Sequence, residues 1–313
     1  MTAFFIVGPT ATGKSEIAAA VADRCDAEII GADAYQIYRG LDRLTAKPDA
    51  PILARARHHL IGTLAATEEL SAVRFRELAM RAIHDIGSRG KNVIVAGGSG
   101  LYVRALTDGF SPLPASDPKL RERLEALSLR ELNTRLRTLD PDAPKSIDTA
   151  NKRRVLRAVE ICVLTGRPLA DTRVVAAAVS GGRSERASAA ETAAATTGVF
   201  VFRERDELYQ RINLRVEQMF AHGVVEEVRE AGALGPTAGQ TLGLREIRQL
   251  LAGEMTEPLC IAAIQQATRR YAKRQLTWFR RQSNFEPLNL SDRTAAEAIE
   301  WITRRARLFF AHD

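Results

Sequence analysis

The chain has 313 residues, an apolar fraction of 45% and a net charge of +7, with a sequence pI near 9.6. That length holds one large domain with an insertion, or two domains, and the apolar share is ordinary for a globular core. No apolar run approaches the roughly 18 residues that would span a membrane, and three widely spaced cysteines, Cys25, Cys162 and Cys260, argue against a disulfide framework or a zinc site and fit a reducing cytoplasm.

The first element read from the N-terminus is a buried strand, Ala3-Phe4-Phe5-Ile6-Val7. No basic segment precedes it, so it does not read as the apolar part of a secretory leader. Next comes Gly8-Pro9-Thr10-Ala11-Thr12-Gly13-Lys14-Ser15, which fits the phosphate-cradling pattern G-x-x-x-x-G-K-[ST]. A helix follows from Glu16 to Arg24. Strand, glycine loop and helix N-terminus together aim backbone N–H groups and a dipole end at an anion. Lys14 adds a mobile charge, and the Ser15 hydroxyl can hold Mg²⁺. A bound di- or triphosphate is expected, although the loop alone does not say which one.

A second strand, Ala27 to Gly31, ends at Asp33. A lone acid after a strand serves either as a turn cap or, beside a phosphate loop, as a Mg²⁺ partner or general base. His58-His59 has no Cys or acid at ligand spacing, which disfavours a metal site there. Ser71 to Ser88 reads as a helix with its N-cap at Ser71 and its stop at Gly90. The third strand, Asn92 to Ala96, runs into Gly97-Gly98-Ser99-Gly100. Phosphate-loop ATPases usually carry an acid there to help hold Mg²⁺, so an ATPase motor is disfavoured.

Pro112, Pro114 and Pro118 mark a change of texture. Helical patterns follow at Leu120 to Leu127, Leu129 to Leu139 and Lys152 to Leu164, then an Ala/Ser/Thr/Gly-rich stretch, Ala176 to Thr197, with the composition of a linker. A fourth strand, Gly198 to Phe202, resumes the core, and everything from Asp206 onward reads as helical. The expected fold is α/β: a P-loop NTPase-like parallel sheet flanked by helices, residues 1–112 and 198–313, with a helical insertion at 113–197. Ligands of open α/β sheets bind at the carboxyl ends of the strands, which gathers the phosphate loop, Asp33 and the Gly97–Gly100 turn around one crevice.

Basic residues cluster at Lys152-Arg153-Arg154 with Arg157, and again at Arg269-Arg270, Lys273-Arg274 and Arg280-Arg281, where no acid stands between Thr268 and Gln282. Tyr271, Trp278 and Phe279 are interleaved there. Such a helix makes a polyanion-binding face, with Trp278 and Phe279 individually better read as core.

These segments carry a resemblance. Gly8 to Ser15, Ala32-Asp33-Ala34-Tyr35-Gln36 through Asp42, Thr45-Ala46-Lys47-Pro48, Gly97 to Tyr102, Asp206 to Arg215 and Tyr271 to Arg280 resemble, in order along nearly the whole chain, the tRNA dimethylallyltransferase (tRNA isopentenyltransferase) family. The glycine turn carries Ser99 where that family commonly has Thr, which keeps the hydroxyl. The resemblance implies transfer of a dimethylallyl group from dimethylallyl diphosphate to N6 of the adenosine at tRNA position 37, with release of pyrophosphate and Mg²⁺ as cofactor. It implies Asp33 as general base, with Thr10 and Arg215 at the diphosphate end. It also implies tRNA contacts at Asp33, Ala34, Tyr35, Gln36, Ser99 and Arg121, and along Arg153, Arg154, Val155, Leu156 and Arg157. A cytoplasmic monomer acting on the anticodon stem-loop, away from any membrane, is the corresponding expectation. Two neighbouring readings share the loop: an adenylate isopentenyltransferase acting on free AMP, ADP or ATP, and a small-molecule kinase. Neither uses the basic surface.

Overall fold

The apolar runs become strands because both of their faces are covered. In chain order the computed structural model, which describes residues 3–109, 114, 116–169, 171 and 198–311, places β1 (Phe4–Val7), α1 (Lys14–Arg24), β2 (Ala27–Ala32), α2 (Ala50–Arg55), β3 (His58–His59), α3 (Ala72–Ser88), β4 (Asn92–Gly97) and α4 (Gly100–Thr107). Then follow α5 (Pro118–Glu125), α6 (Leu129–Leu139), α7 (Ala143–Ser146), α8 (Lys152–Thr165), β5 (Gly198–Phe202), α9 (Arg205–Ala221), α10 (Val224–Glu230), α11 (Leu244–Leu251), α12 (Glu257–Phe279), β6 (Phe285–Asn289) and α13 (Ala295–Ala311). The stretch read as a linker, Ala176 to Thr197, lies outside the described residues, as does Pro112.

By contacts the chain divides into two compact units, Met1–Asp108 with Ser188–Asp313, and Gly109–Ala187. In the first, six strands form one sheet in the order β3-β2-β4-β1-β5-β6, and every pairing is parallel. Side chains alternate across it. Phe5, Val7, Ile30, Val93 and Val95 enter one core with Phe75, Tyr102, Val216, Ile264 and Phe279. Phe4, Ile6, Ile29, Ile94, Val199 and Val201 enter the other with Ile17 and Val21 of α1 and Ile302 and Ala306 of α13. Burial on both faces is why these strands read as continuous apolar runs.

Two strands escaped the sequence reading. β6 corrects the expectation that everything after Asp206 is helical. It is an edge strand whose buried residues are only Phe285 and Leu288, and Pro287 is tolerated at an edge. β3 has two residues at the opposite edge. There His59 Nε2 meets Glu28 Oε2 at 2.6 Å, and Arg89 Nη2 donates to the same oxygen at 2.7 Å. His59 thus helps clamp a strand edge. Among the described residues no group of His, Cys, Asp and Glu could hold a metal ion, and no helix is long and apolar enough to cross a membrane.

The second unit has its own apolar core, with Leu120, Leu124, Leu132, Leu136, Val155 and Val159 among its members. Three of its described helices start on side-chain caps: Asp117 for α5, a Ser128–Glu131 capping box for α6 and Asn151 for α8.

Candidate functional site

The phosphate loop leaves β1 and enters α1 through Gly13, whose φ of +92° is cheap only for glycine. Ala11 is also left-handed at φ +64°, a strain of about 1–2 kcal/mol. Its neighbours hold that shape. Thr12 Oγ1 donates to Pro9 O at 3.0 Å, and Lys14 Nζ to the same carbonyl at 3.1 Å. Arg211 Nε donates to Ala11 O at 2.8 Å and Arg203 Nε to Thr12 O at 3.0 Å. With loop carbonyls tied back by arginines, the Lys14 and Ser15 end is left as the anion-facing start of α1.

Arg211 and Arg215 are four apart on α9 and so share a face. Arg215 Nη1 donates to Thr10 Oγ1 at 3.0 Å. Burial pulls Lys14 down to about 8, against the Asp33 carboxylate that holds its charge and with Arg215 that opposes it. Burial likewise pulls Arg215 down to about 10, again resisted by Asp33. Lys14, Arg215 and Asp33 therefore share one electrostatic field: two cations short of solvation face a single acid.

Asp33, directly after β2, caps a turn and also lines the recess beside the phosphate loop. Its Oδ1 accepts from the backbone of Tyr35 at 2.9 Å and Gln36 at 3.3 Å, a local turn. Ser99 Oγ accepts from the Ala34 N–H at 3.0 Å, joining the glycine turn after β4 to the turn after β2. Gln36 Nε2 donates to Thr45 O and Ala46 O at 3.1 and 2.9 Å, which fixes the segment around Thr45 beside Asp33. Tyr271 of α12 lies against Ser99 and Asp33; burial chiefly, with the Asp33 charge, pushes its phenol up, and a hydrogen bond with Ser99 opposes this.

Two recesses meet here. One is polar and lined by Thr10, Gly13, Lys14, Ser15, Asp33 and Arg211 among others. The second is mainly apolar, lined by Ile212, Val216, Met219, Phe220, Ile247 and Ile264 among others, with about 680 Å³ of empty space including its mouth. Thr10, Asp33, Thr45 and Arg215 line both. The junction thus carries a carboxylate, two threonines and a guanidinium where an apolar chamber adjoins the polar recess at the glycine loop.

The insertion residues are placed differently. Arg153 and Arg154 are exposed near the start of α8. Val155 and Leu156 are not: at 0% and 3% exposure they belong to the core of their unit, so their side chains offer nothing to an RNA. Arg157 and Arg121 are engaged by the fully buried Glu160. Arg157 Nη1 donates to Glu160 Oε2 at 2.6 Å, and Arg121 Nη1 lies 3.7 Å from it. Ser116 donates to the other Glu160 oxygen, and Arg157 Nη2 donates to Pro114 O at 2.6 Å.

Reasoning from the sequence missed three supports. Arg203 and Arg211 brace loop carbonyls, and Gln275 Oε1 accepts from Thr10 N–H at 2.9 Å. Arg211 and Gln275 do stand within segments that carry the family resemblance, but neither spacing nor composition marks which backbone group either side chain bonds.

The family model described as IPP transferase matches residues 36–282. Among curated relatives, tRNA dimethylallyltransferase 1 of Citrifermentans bemidjiense is 43% identical over 281 residues, covering 88% of either chain. The tRNA dimethylallyltransferase of Salinispora tropica is 38% identical over 311 residues, 96% of this chain and 93% of that one. Among solved structures, the full-length tRNA isopentenylpyrophosphate transferase from Bacillus halodurans superposes with a TM-score of 0.68 at 33% identity, covering 99% and 96% of the two chains. A eukaryotic dimethylallyltransferase acting on tRNA gives 0.74 at 25% identity, covering 93% and 74%.

Proposed function

The chain belongs to the IPP transferase family, and from that premise we propose that it transfers a dimethylallyl group from dimethylallyl diphosphate to N6 of an adenosine beside the tRNA anticodon. The observation that carries the reading is the junction of the two recesses at Thr10, Asp33, Thr45 and Arg215. The diphosphate lies on the loop end of α1, the five-carbon chain enters the apolar recess, and the scissile C–O bond falls between them.

The exocyclic amine is a poor nucleophile because its lone pair is delocalised into the ring. Asp33 accepts its proton as the N6–C bond forms. Oδ1 holds the turn, so Oδ2 takes the proton. As the C–O bond breaks, pyrophosphate leaves with the added charge. Lys14, the N–H groups at the start of α1 and the Arg215–Thr10 pair stabilise that charge. The donor set suits Mg²⁺: one hydroxyl, Ser15, beside a diphosphate that brings its own oxygens, for an ion that seldom takes an all-protein cage. When bound, Mg²⁺ neutralises leaving-group charge.

On the acceptor side, the Asp33–Gln36 turn and Ser99 surround the base, which must leave its stack to reach them. In the insertion, residues 113–197, exposed Arg153 and Arg154 grip phosphates, with Arg121 contributing beyond its pairing with Glu160. Val155 and Leu156 serve by packing. The enzyme works as a monomer in the cytoplasm. The test is incubation with dimethylallyl diphosphate, Mg²⁺ and unmodified tRNA, with AMP and ATP in parallel tubes, followed by nucleoside mass spectrometry. Prenylated adenosine from tRNA is expected. Prenylated AMP without tRNA product, or ADP formation, refutes the reading.

A further inference from the structure

A buried amide under the phosphate loop does more than fill space. Gln275 sits on the inward face of α12 with Ala272 and Phe279, and is 6% exposed. Its two polar atoms are both used on backbone. Oε1 accepts from Thr10 N–H at 2.9 Å, and Nε2 donates to Gly98 O at 2.8 Å. Gly98 is shaped for this contact, because a Cβ there would stand 2.4 Å from Nε2 and 2.9 Å from Gly8 O.

The two partners lie on opposite sides of the junction. Thr10 Oγ1 accepts from Arg215, on the leaving-group side. Gly98 precedes Ser99, whose hydroxyl accepts from Ala34 N–H, and Ala34 follows Asp33, on the proton-accepting side. A continuous chain of bonds runs Arg215–Thr10–Gln275–Gly98–Ser99–Ala34–Asp33. Gln275 is its middle link. It also claims the Thr10 N–H, which is therefore one loop donor not aimed at phosphate.

Resting on the reaction proposed above, we infer that Gln275 is a positioning residue that sets the separation between the leaving-group cradle and the base. It touches neither substrate and acts through Thr10 and Gly98. Displacing a reacting group by about 1 Å costs on the order of 10²-fold in rate, so this link bears on turnover more than on binding.

The experiment compares Gln275→Leu and Gln275→Glu with the unaltered enzyme, reading kcat, KM for each substrate, Tm and the pH dependence of kcat. Leu keeps the volume and removes both bonds. It is expected to lower kcat by about 10- to 100-fold while both KM values stay within about threefold. Glu keeps an acceptor for Thr10 N–H, but its second oxygen faces the Gly98 carbonyl. Only when protonated does the carboxyl donate there and restore the link. The ratio of the Glu variant's kcat to the unaltered enzyme's is therefore expected to rise as pH falls from about 8.5 to 6. A Leu variant with kcat within about threefold of the unaltered enzyme overturns the inference. So does a Glu ratio that is flat with pH, which decides alone if the Leu variant fails to fold. Absence of tRNA prenylation by the unaltered enzyme overturns the proposed reaction, and this inference with it.

Discussion

Lys14 should take up a proton when the diphosphate binds. In the free protein burial pulls its pKa from 10.5 to about 8, against the pull of Asp33. A diphosphate on the loop supplies the counter-charge that burial withholds and returns the lysine toward its ordinary value. At pH 9 about nine-tenths of the free protein then holds Lys14 neutral while the complex holds it charged, so binding takes up about 0.9 proton, against about 0.1 at pH 7. The sign follows. The ligand prefers the ammonium and the free site above pH 8 prefers the amine, so affinity is lost as pH rises through about 8, by roughly tenfold between pH 7 and 9. The stability of the free chain runs the other way, rising from about pH 8 toward 10.5 because the unfolded lysine binds the proton more tightly.

Calorimetric titration with dimethylallyl diphosphate, without tRNA, in buffers of different ionisation enthalpy measures the uptake directly. A terminal phosphate has lost its second proton well below pH 8, its pKa being about 6, so uptake above that pH belongs to the protein. Lys14→Met should bind more weakly at pH 7 and show neither the uptake nor the slope. A flat affinity from pH 7 to 9, or equal uptake in Lys14→Met, refutes the reasoning.

Asp33→Asn keeps an oxygen for the Tyr35 and Gln36 N–H groups and loses the base, so turnover should fall about 10²-fold or more with tRNA affinity little changed; near-normal single-turnover rates would remove Asp33 from the mechanism. Thr10→Ala and Arg215→Ala should lower kcat or raise KM for dimethylallyl diphosphate and leave tRNA affinity nearly intact by filter binding. Arg153→Glu with Arg154→Glu should weaken tRNA binding and flatten its dependence on salt, without moving the affinity for dimethylallyl diphosphate. Arg157→Ala should lower Tm, costing about 3 kcal/mol, because it strips the nearest cation from buried Glu160, whereas exposed Arg154→Ala should lower it far less; thermal melts of the pair separate a folding role from an RNA-binding one.

What the sequence made legible was local. The phosphate loop, the helix after it and the strand feeding it lie within residues 4–24, where spacing and backbone demands coincide: glycine at the left-handed position, Lys and Ser at the helix start. Asp33 was legible because a strand end beside such a loop leaves few places for an acid. The insertion's helices were legible from their caps and apolar spacing. Illegible were side chains whose work is to bond backbone far along the chain. Arg203 and Arg211 reach the loop from 191 and 200 residues away, and Gln275 from 265. Such a bond asks only for one amide or guanidinium at the right register, which leaves no periodicity to read.

The helix α12 shows why charge misdirects. Its run of Lys and Arg invites a reading as a polyanion surface, and the exposed Lys273, Arg274 and Arg280 fit that reading. Yet Arg269 Nη1 donates to Asn213 Oδ1 at 2.6 Å, and the Arg274 guanidinium lies 5.7 Å from the Tyr271 ring centre. Part of the basic run thus braces its own surroundings. The opposite face sends Gln275 to the phosphate loop and Tyr271 to Ser99. Both faces arise from a single 3.6-residue period. Composition sees only the exposed one because charge concentrates there, while the inward face carries one amide among apolar neighbours. The same asymmetry operates in α8, where Arg153, Arg154 and Arg157 look equivalent in sequence. One helical register separates them: the first two are exposed, and Arg157 turns to Glu160. A basic cluster therefore fixes the sign of a helix's partner, and the register decides which of its members can meet that partner.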